Sequence, residues 1–136
     1  MESVVWSERE LCEIAETKSG GTPNRKNLAF FGGTIPWVKS GELEDTFICD
    51  TEEKISLDGL KHSSAKLLPA GTLLMAMYGA TVGKTAILKI EAATNQAVCA
   101  IFPKAELANT DFVRYALIYQ RPEILKLRYG GAQPNI

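Results

Sequence analysis

The segment from Gly79 to Thr85, Gly-Ala-Thr-Val-Gly-Lys-Thr, is similar in composition to a loop that binds nucleotide phosphates. Such a loop needs four residues between its first glycine and Gly-Lys-Thr, and it opens a helix whose N-terminus faces the anion. Here three residues intervene, and the residues after Thr85 alternate like a strand. Nucleotide binding is therefore disfavoured, although stabilisation by magnesium–ATP would reveal it. A hairpin loop carrying Thr81 and Lys84 can still contact a DNA backbone.

Other residues with catalytic potential do not form a complete site in the sequence. Glu52-Glu53-Lys54 contains a Glu-x-Lys fragment used by metal-dependent nucleases, and Asp45 or Asp50 would supply the second carboxylate. The fragment is short, however, and its acidic setting is typical of a solvated turn. The chain has one histidine and three widely spaced cysteines, and no nucleophile has a recognisable base beside it. The sequence indicates no enzyme, no metal site and no cofactor.

Two stretches instead concentrate the side chains that read nucleic acid. Ser19 to Asn27 supplies Ser, Thr, Asn, Arg and Lys, and Thr94-Asn95-Gln96 precedes an apolar run. Arg and Lys bind guanine, Asn and Gln pair with adenine, and Ser and Thr contact phosphate or base. Each residue also has a plain structural explanation, since asparagines form turns and Trp37 is typical of a core.

The formal net charge of −1 hides an alternation along the chain. Two acid-free stretches, 18–41 and 59–90, each carry four bases, and the intervening stretch 42–58 carries seven acids and one base. If the acid-free stretches fold together, they form a positive face that attracts phosphate. Charge does not by itself decide between that face and a chance pattern.

The length of 136 residues and the hydrophobic fraction of 46% predict one globular domain. Its apolar runs are too short to span a bilayer, and we expect a reduced, cytoplasmic protein. The predicted class is α+β, a compact domain with a small, mostly antiparallel twisted sheet, short flanking helices and long loops. The predicted helices are Ser7 through Ala15, Leu57 to about Ser64 capped by Ser56, Asp111 to about Gln120 capped by Thr110, and a second segment restarted by Pro122. The predicted strands are Thr34–Val38, Thr72–Tyr78, Thr85–Ile90 and Gln96–Phe102, and the predicted turns or loops are 19–24, 32–33, 50–54, 79–83 and 130–135.

Taken in order, the motifs resemble the target-recognition domains of type I restriction–modification specificity subunits. The resembling segments are 11–16 (LCEIAE), 19–23 (SGGTP), 33–43 (GTIPWVKSGEL), 68–74 (LPAGTLL), 78–84 (YGATVGK), 93–97 (ATNQA) and 130–136 (GGAQPNI). They span nearly the whole chain in the family's order, and this ordered set is far more specific than any single motif.

The resemblance implies a DNA-binding component that reads one half of a split target in double-stranded DNA. Methylation by transfer from S-adenosylmethionine, and restriction, would belong to partner methyltransferase and restriction subunits. The family's helical connector should follow Ile136, but neither it nor a second recognition domain is present in these 136 residues. We therefore expect a fragment or a truncated half subunit, and docking of the methyltransferase depends on the connector. The main alternative is a protein-interaction module without DNA binding, whose affinity would respond little to salt.

The resemblance also directs attention to particular DNA-binding residues. Base discrimination is expected first from Asn24, Arg25, Lys26 and Asn27, then from Lys39, Ser40 and Tyr78. The loops that contain Ser19, Gly20, Gly21 and Thr22, and Thr81, are expected to be mainly architectural with backbone groups near DNA. Lys84, Asn95 and Gln96 are expected to be structural or to contact phosphate.

Overall fold

The computed structural model describes residues 14–104 and 109–126 and contains strands and short helices in alternation. The strands are β1 (Ala15–Ser19), β2 (Phe31–Val38), β3 (Thr46–Ile48), β4 (Glu53–Ile55), β5 (Leu73–Ala76), β6 (Thr85–Leu88), β7 (Ala93–Thr94) and β8 (Val98–Pro103). The α-helices are α1 (Leu57–Lys61), α2 (Thr110–Tyr119) and α3 (Arg121–Lys126), and short 3-10 helices lie at Leu28–Phe30 and Ser40–Glu42. This combination confirms the predicted α+β class.

The strands form two sheets, although the sequence predicts one. A five-stranded sheet has the order β1-β8-β5-β6-β3, and a three-stranded sheet has the order β4-β2-β7. Two pairs, β3 with β6 and β2 with β7, are parallel, and the other pairs are antiparallel, so the prediction of mostly antiparallel pairing is confirmed.

Alternate residues of β5 separate two layers of the core. Leu74 and Ala76 join the cluster that contains Val38, whereas Leu73 and Met75 join the cluster beneath α2 and α3. Successive side chains of a strand point to opposite faces, so β5 is covered on both sides. This explains its uninterrupted apolar sequence. A third cluster packs α1 against the outer face of the three-stranded sheet.

Three local predictions are wrong. Ala15 begins β1 because it pairs with Pro103, so the helix predicted through Ala15 does not extend that far. Gly32 and Gly33 lie within β2, where the pairing with β4 shifts register and Gly32 has a φ of 76°, so the predicted turn is a bulge in a strand. Glu53 and Lys54, predicted as part of a loop, open β4 opposite Trp37 and Pro36.

The predicted helix ends are largely correct. The Ser56 hydroxyl accepts a hydrogen bond from the Gly59 N–H and caps α1, which is shorter than expected. Asn109, not Thr110, caps α2, because its side chain accepts from the Phe112 N–H. Pro122 lies in the first turn of α3, as predicted. The Ser7 capping box and the loop at 130–135 lie outside the described residues. None of the described helices has the length and apolar character needed to cross a bilayer.

Candidate nucleic-acid interface

Four segments that sequence reasoning singled out lie against one another. They are residues 19–27, 39–40, 78–84 and 94–96, and we call them the loop cluster. The Gly21 N–H donates to the Thr94 carbonyl at 3.0 Å, and the Asn95 N–H donates to the Val38 carbonyl at 2.9 Å. The Thr81 hydroxyl donates to the Ser40 carbonyl at 2.6 Å. Two backbone hydrogen bonds and one from the Thr81 side chain therefore join these parts of the chain.

Close packing beneath the first loop requires glycine at two positions. A Cβ on Gly20 would lie 2.2 Å from the Thr94 carbonyl oxygen, and a Cβ on Gly21 would lie 2.7 Å from the Ala65 nitrogen. Trp37, which is 1% exposed, donates its indole N–H to the Gly21 carbonyl at 3.1 Å. The tryptophan is thus a core residue that supports the loop, in agreement with the sequence prediction.

The polar residues of the first loop shape the backbone with one end of each side chain. The Asn24 carbonyl oxygen accepts from the Lys26 N–H, and the Asn27 carbonyl oxygen accepts from the Ala29 N–H, both at 3.0 Å. Both asparagines are exposed, as are Arg25 and Lys26. The Thr22 hydroxyl contacts the Gln96 side-chain oxygen and links this loop to the segment after β7.

The loop from Gly79 to Lys84 does not have the features of a phosphate cradle. The N–H groups of Val82, Gly83 and Lys84 donate to the carbonyls of Gly79, Ala76 and Thr81, so the loop uses its own donors. The loop leads into β6 and not into a helix, which removes the helix terminus that an anion needs. Lys84 forms an ion pair with Glu44 at 3.1 Å. The loop therefore acts as a packed hairpin.

Four charged side chains meet at the surface of the loop cluster, and we call this group the Glu53 cluster (Arg25, Lys39, Glu52 and Glu53). Arg25 donates to the two Glu53 carboxylate oxygens at 2.8 Å and 3.3 Å. The Lys39 ammonium lies 2.9 Å from Glu53 and 3.0 Å from Glu52. The formal charges of the cluster sum to zero.

Aromatic and backbone contacts hold the Glu53 cluster in place. The Arg25 guanidinium carbon lies 5.0 Å from the ring centroid of Phe31 and 5.1 Å from that of Trp37, which are cation–π distances. The Glu42 carboxylate accepts the N–H groups of Lys39 and Glu52, at 2.8 Å and 3.2 Å. Glu42 thereby ties the end of β2 to the start of β4.

Electrostatics within the cluster favour the charged forms. Hydrogen bonds from Arg25, and then from Lys39, lower the pKa of Glu53 to about 2. The same contacts with Glu53 raise the pKa values of Arg25 and Lys39. The carboxylate and both cations are therefore ionised near neutral pH.

A second carboxylate, Asp45, joins the strands to the last helices. Its Oδ1 accepts from the Thr85 N–H at 2.9 Å and from Arg121 at 2.6 Å, and its own carbonyl accepts from Arg114 at 2.8 Å. Arg121 also donates to the Gly83 carbonyl at 3.1 Å. We call this group the Asp45 junction. Burial opposes ionisation, but the hydrogen bonds from Thr85 and Arg121 outweigh it and lower the pKa of Asp45.

The acidic residues considered for a nuclease do not assemble into a site. Asp45 lies in its own junction, Asp50 pairs with Lys54 at 2.9 Å, and Glu53 pairs with Arg25 and Lys39. Within residues 14–104 and 109–126 no three acidic, histidine or cysteine side chains are grouped to hold a metal ion. The Glu-x-Lys fragment is therefore part of ion pairs between neighbouring segments.

The charge alternation of the sequence is expressed as ion pairing between segments. The acidic stretch 42–58 supplies Glu53 to Arg25 and Lys39, and it supplies Glu44 to Lys84. The expected positive face is thus neutralised at these three bases. Lys26 is exposed and Tyr78 is half-buried, while Ser19 ends β1 in an exposed position.

A family model described as the type I restriction modification DNA specificity domain matches residues 3–136. The chain belongs to this family. The chain is 30% identical over 139 aligned residues to the EcoR124I/EcoR124II specificity subunit of Escherichia coli, an alignment that covers 98% of the chain and 34% of the relative. It is 33% identical over 102 residues to the MjaIX specificity subunit of Methanocaldococcus jannaschii, which covers 73% of the chain and 23% of that relative. The chain thus spans about a third or less of the length of these curated relatives.

Solved structures have the same fold as this specificity domain. The HsdS subunit from Thermoanaerobacter tengcongensis superposes with a TM-score of 0.65 at 20% identity, covering 85% of this chain and 28% of that one. The S subunit of a type I system from M. genitalium gives a TM-score of 0.57 at 14% identity, covering 85% and 27%. The expected family is confirmed by the family model, and these structures show that the fold is shared.

Sequence reasoning missed the residues that make these contacts within the specificity domain. Glu53 was interpreted as part of a solvated acidic turn, and Asp45, Arg114 and Arg121 received no structural role. The acidic stretch between two acid-free stretches is the signal that could have revealed Glu53, because opposite charges of this kind pair when the chain folds. No comparable pattern marks Asp45, whose partners lie 40 and 76 residues away.

Proposed function

We propose that the chain binds double-stranded DNA and reads one half of a bipartite target through the loop cluster. Membership of the specificity-domain family over residues 3–136 is the observation that carries this proposal. The convergence of the four predicted segments supports it, because base reading requires several side chains held in a fixed register on the duplex.

The chemistry of the exposed loop residues is suited to reading base edges. Asn24 and Asn27 use their side-chain oxygens on the backbone, which leaves their amide N–H groups to donate to acceptors such as guanine N7 and O6. Their carbonyl contacts also fix the orientation of each amide. Arg25 uses two of its five N–H donors on Glu53 and retains the others.

Phosphate contacts are assigned to residues outside the Glu53 cluster. Lys26 is exposed and has no ion pair among the described residues, so its charge is available to a phosphate. Thr81 is buried with its hydroxyl bonded to the Ser40 carbonyl, and we assign it an architectural role. The first loop begins with Ser19, Gly20, Gly21 and Thr22. The other candidate residues of the loop cluster lie in the neighbouring segments: Lys39, Ser40, Tyr78, Lys84, Asn95 and Gln96.

In this proposal the complete assembly contains methyltransferase and restriction subunits and works in the cytoplasm. The methyltransferase subunits carry out the chemistry, and the present chain supplies the sequence preference and the register. A connector that spaces two recognition domains would lie in the part of the relatives that this chain does not cover.

An amide-resolved NMR titration with a mixed-sequence duplex, at low and near-physiological salt, tests DNA binding. Salt-sensitive shifts in the loop cluster are expected, because binding that releases counterions weakens as salt rises. Lys26→Gln should reduce the slope of log affinity against log salt by about 0.9, the loss of one phosphate contact. Lys84 precedes β6 and Lys89 follows it, so the two lysines lie at opposite ends of the strand. Lys89→Gln is therefore the matched control.

The alternative function is a protein-interaction module, and α2 gives it one specific observation. Tyr115 and Tyr119 of that helix are 63% and 81% exposed. Such a module would leave the loop-cluster amides unshifted by DNA even at low salt, with the fold intact. A partner bound through α2 would then dissociate with little dependence on salt.

A further inference from the structure

The Glu53 cluster places two candidate DNA-reading cations, Arg25 and Lys39, on a single carboxylate. Glu53 receives two hydrogen bonds from Arg25 and one ion pair from Lys39, and Glu52 gives Lys39 a second partner. With two acids and two bases, the cluster presents no net charge to an approaching phosphate. A surface built only to attract DNA would not bring two acids to this position.

We propose that Glu53 is a specificity-determining residue that restrains Arg25 and Lys39 and so suppresses binding to non-target DNA. This inference rests on the proposed function, since it concerns the selectivity of the same DNA-reading surface. Glu53 touches neither base nor phosphate in this role. It acts through the two cations that it holds.

DNA and the Glu53 carboxylate compete for the Arg25 guanidinium. A phosphate must displace a carboxylate that already binds two guanidinium N–H groups, and it gains little from a neutral cluster. A guanine edge offers two acceptors, O6 and N7, that match the same planar fork. Both ligands must displace Glu53, but only the guanine contact depends on the sequence, so the carboxylate weakens binding that relies on phosphate alone.

Glu53 keeps a partner when Arg25 moves to DNA. The Arg25 side chain is 54% exposed, whereas Lys39 is 30% and Glu53 is 29% exposed. Of the two cations, Arg25 is thus the one that is freer to leave. Lys39 lies 2.9 Å from Glu53, so the carboxylate keeps a partner when Arg25 exchanges. An acid shared between two bases can therefore release one of them without being left unpaired.

Negative charge remains in the cluster when Arg25 contacts DNA. When Arg25 contacts DNA, Glu53 and Glu52 lie beside it, and both repel phosphates that approach in other registers. The repulsion weakens binding of DNA that lacks the correct base more strongly, because such DNA samples many registers, whereas the Arg25 contact fixes a single register on the target. Discrimination by repulsion of the wrong partner is a general route to specificity.

The test measures the affinity of the 136-residue chain for a target duplex, selected from a random library, and for a scrambled duplex, across salt concentrations. Glu53→Gln should tighten binding to the scrambled duplex by about 10-fold and steepen its salt slope by about 0.9, because about one additional phosphate contact forms. Binding to the target should change less, so the ratio of the two affinities falls. Glu123→Gln, which also converts an acid to its amide and releases a lysine, should leave the ratio unchanged.

Arg25→Gln provides a second test that does not depend on the folding of the Glu53 variant. It should weaken target binding by about 10-fold or more, the loss of one bidentate base contact. Scrambled binding should weaken less than target binding, because it loses the charge of Arg25 but no base contact.

Two results would overturn the proposal. They are an unchanged affinity ratio in Glu53→Gln with its fold intact, or equal weakening of both duplexes by Arg25→Gln. If the wild-type chain binds neither duplex at low salt, the proposed function itself fails. That outcome is distinct from wild-type binding with an unchanged ratio, which removes only the role of Glu53.

Discussion

Glu53 and Asp45 are two carboxylates with similar partners and different surroundings. Each accepts hydrogen bonds from an arginine, and each has a lowered pKa. The Asp45 oxygen also accepts from the Thr85 N–H, and its partner Arg121 is bonded to the Gly83 carbonyl. Among the described residues, the Glu53 carboxylate accepts only from the side chains of Arg25 and Lys39. Asp45 therefore links backbone segments, whereas Glu53 links side chains.

The arginines of the two groups also differ in the exposure of their side chains. In the Asp45 junction the side chains of Arg121 and Asp45 are 22% and 29% exposed, whereas Arg25 in the Glu53 cluster is 54% exposed. Solvent weakens an exposed ion pair and allows its members to exchange partners. The comparison indicates that the Asp45 junction stabilises the fold and that the Glu53 cluster is free to respond to a ligand. The predictions below separate these roles.

Replacing Asp45 should produce the largest loss of stability. Asp45→Ala removes the partner of Arg121 and places alanine at a φ of 62°, and we expect a loss of about 3 kcal/mol in the free energy of unfolding. Asp45→Asn tolerates that backbone conformation and keeps one acceptor, so a loss of about 2 kcal/mol is expected. Urea unfolding measures both.

The exposed pair of Glu123 with Lys126 provides the control for these variants. Its side chains are 73% and 69% exposed, and Glu123→Ala should cost less than about 0.5 kcal/mol. If Asp45→Asn were as mild as this control, the junction would be an ordinary surface pair and the contrast with Glu53 would disappear.

Packing beneath the loop cluster should give the next largest effect. Gly20→Ala would place a Cβ 2.2 Å from the Thr94 carbonyl, which is backbone and cannot rotate away. We expect a loss of about 2 kcal/mol by thermal or urea unfolding, as for other overpacked sites. Gly41→Ala is the matched control, because a Cβ there meets nothing within 4 Å. Equal stability of the two variants would show that the loop shifts freely and does not hold Arg25 in a fixed place.

Some elements of the fold could be predicted from the sequence, and others could not. The α+β class, the buried strand at Leu73–Ala76 and the Ser56 cap follow from local patterns, because apolar runs and capping residues act on their own neighbourhood. The bulge at Gly32 and the strand at Glu53–Ile55 were missed. Two glycines and an acidic pair usually indicate turns, and here tertiary pairing with a neighbouring strand decides.

The candidate segments could be selected from the sequence, but the side-chain pairs between them could not. Ordered family motifs pointed to the segments at 19–27, 39–40, 78–84 and 94–96, and these segments do meet. The partner of Arg25 could not be deduced, because Glu53 lies 28 residues away and reaches it only through the pairing of β2 with β4. The assignment of individual residues to DNA contacts remains a prediction.

Replacing Glu53 should have the smallest effect on stability and the clearest dependence on pH. Glu53→Gln should cost less than about 1 kcal/mol near neutral pH, because Arg25 is exposed and Lys39 keeps Glu52 as a partner. The pKa of Glu53 is about 2 in the folded chain, against about 4.3 for an unperturbed glutamate. The folded state thus binds this proton less readily than the unfolded state, so the contribution of Glu53 is fully present above about pH 4.3. It is lost as the pH falls toward about 2.

Urea unfolding of the wild-type chain and of Glu53→Gln across this acidic range measures that contribution. The two stability curves should be separated near neutral pH and converge in acid, because the glutamine variant lacks the titrating group. The stability curve of Asp45→Asn should differ from that of Glu53→Gln. This variant keeps the positive φ of residue 45 and the contact of Arg114 with its carbonyl, and it loses the charge. Its stability should also approach the wild-type value in acid, but from a larger initial deficit. If the Glu53→Gln curve stayed parallel to wild type at all pH values, the ion pairs of Glu53 would contribute nothing to the folded state, and its role would have to appear in DNA binding alone.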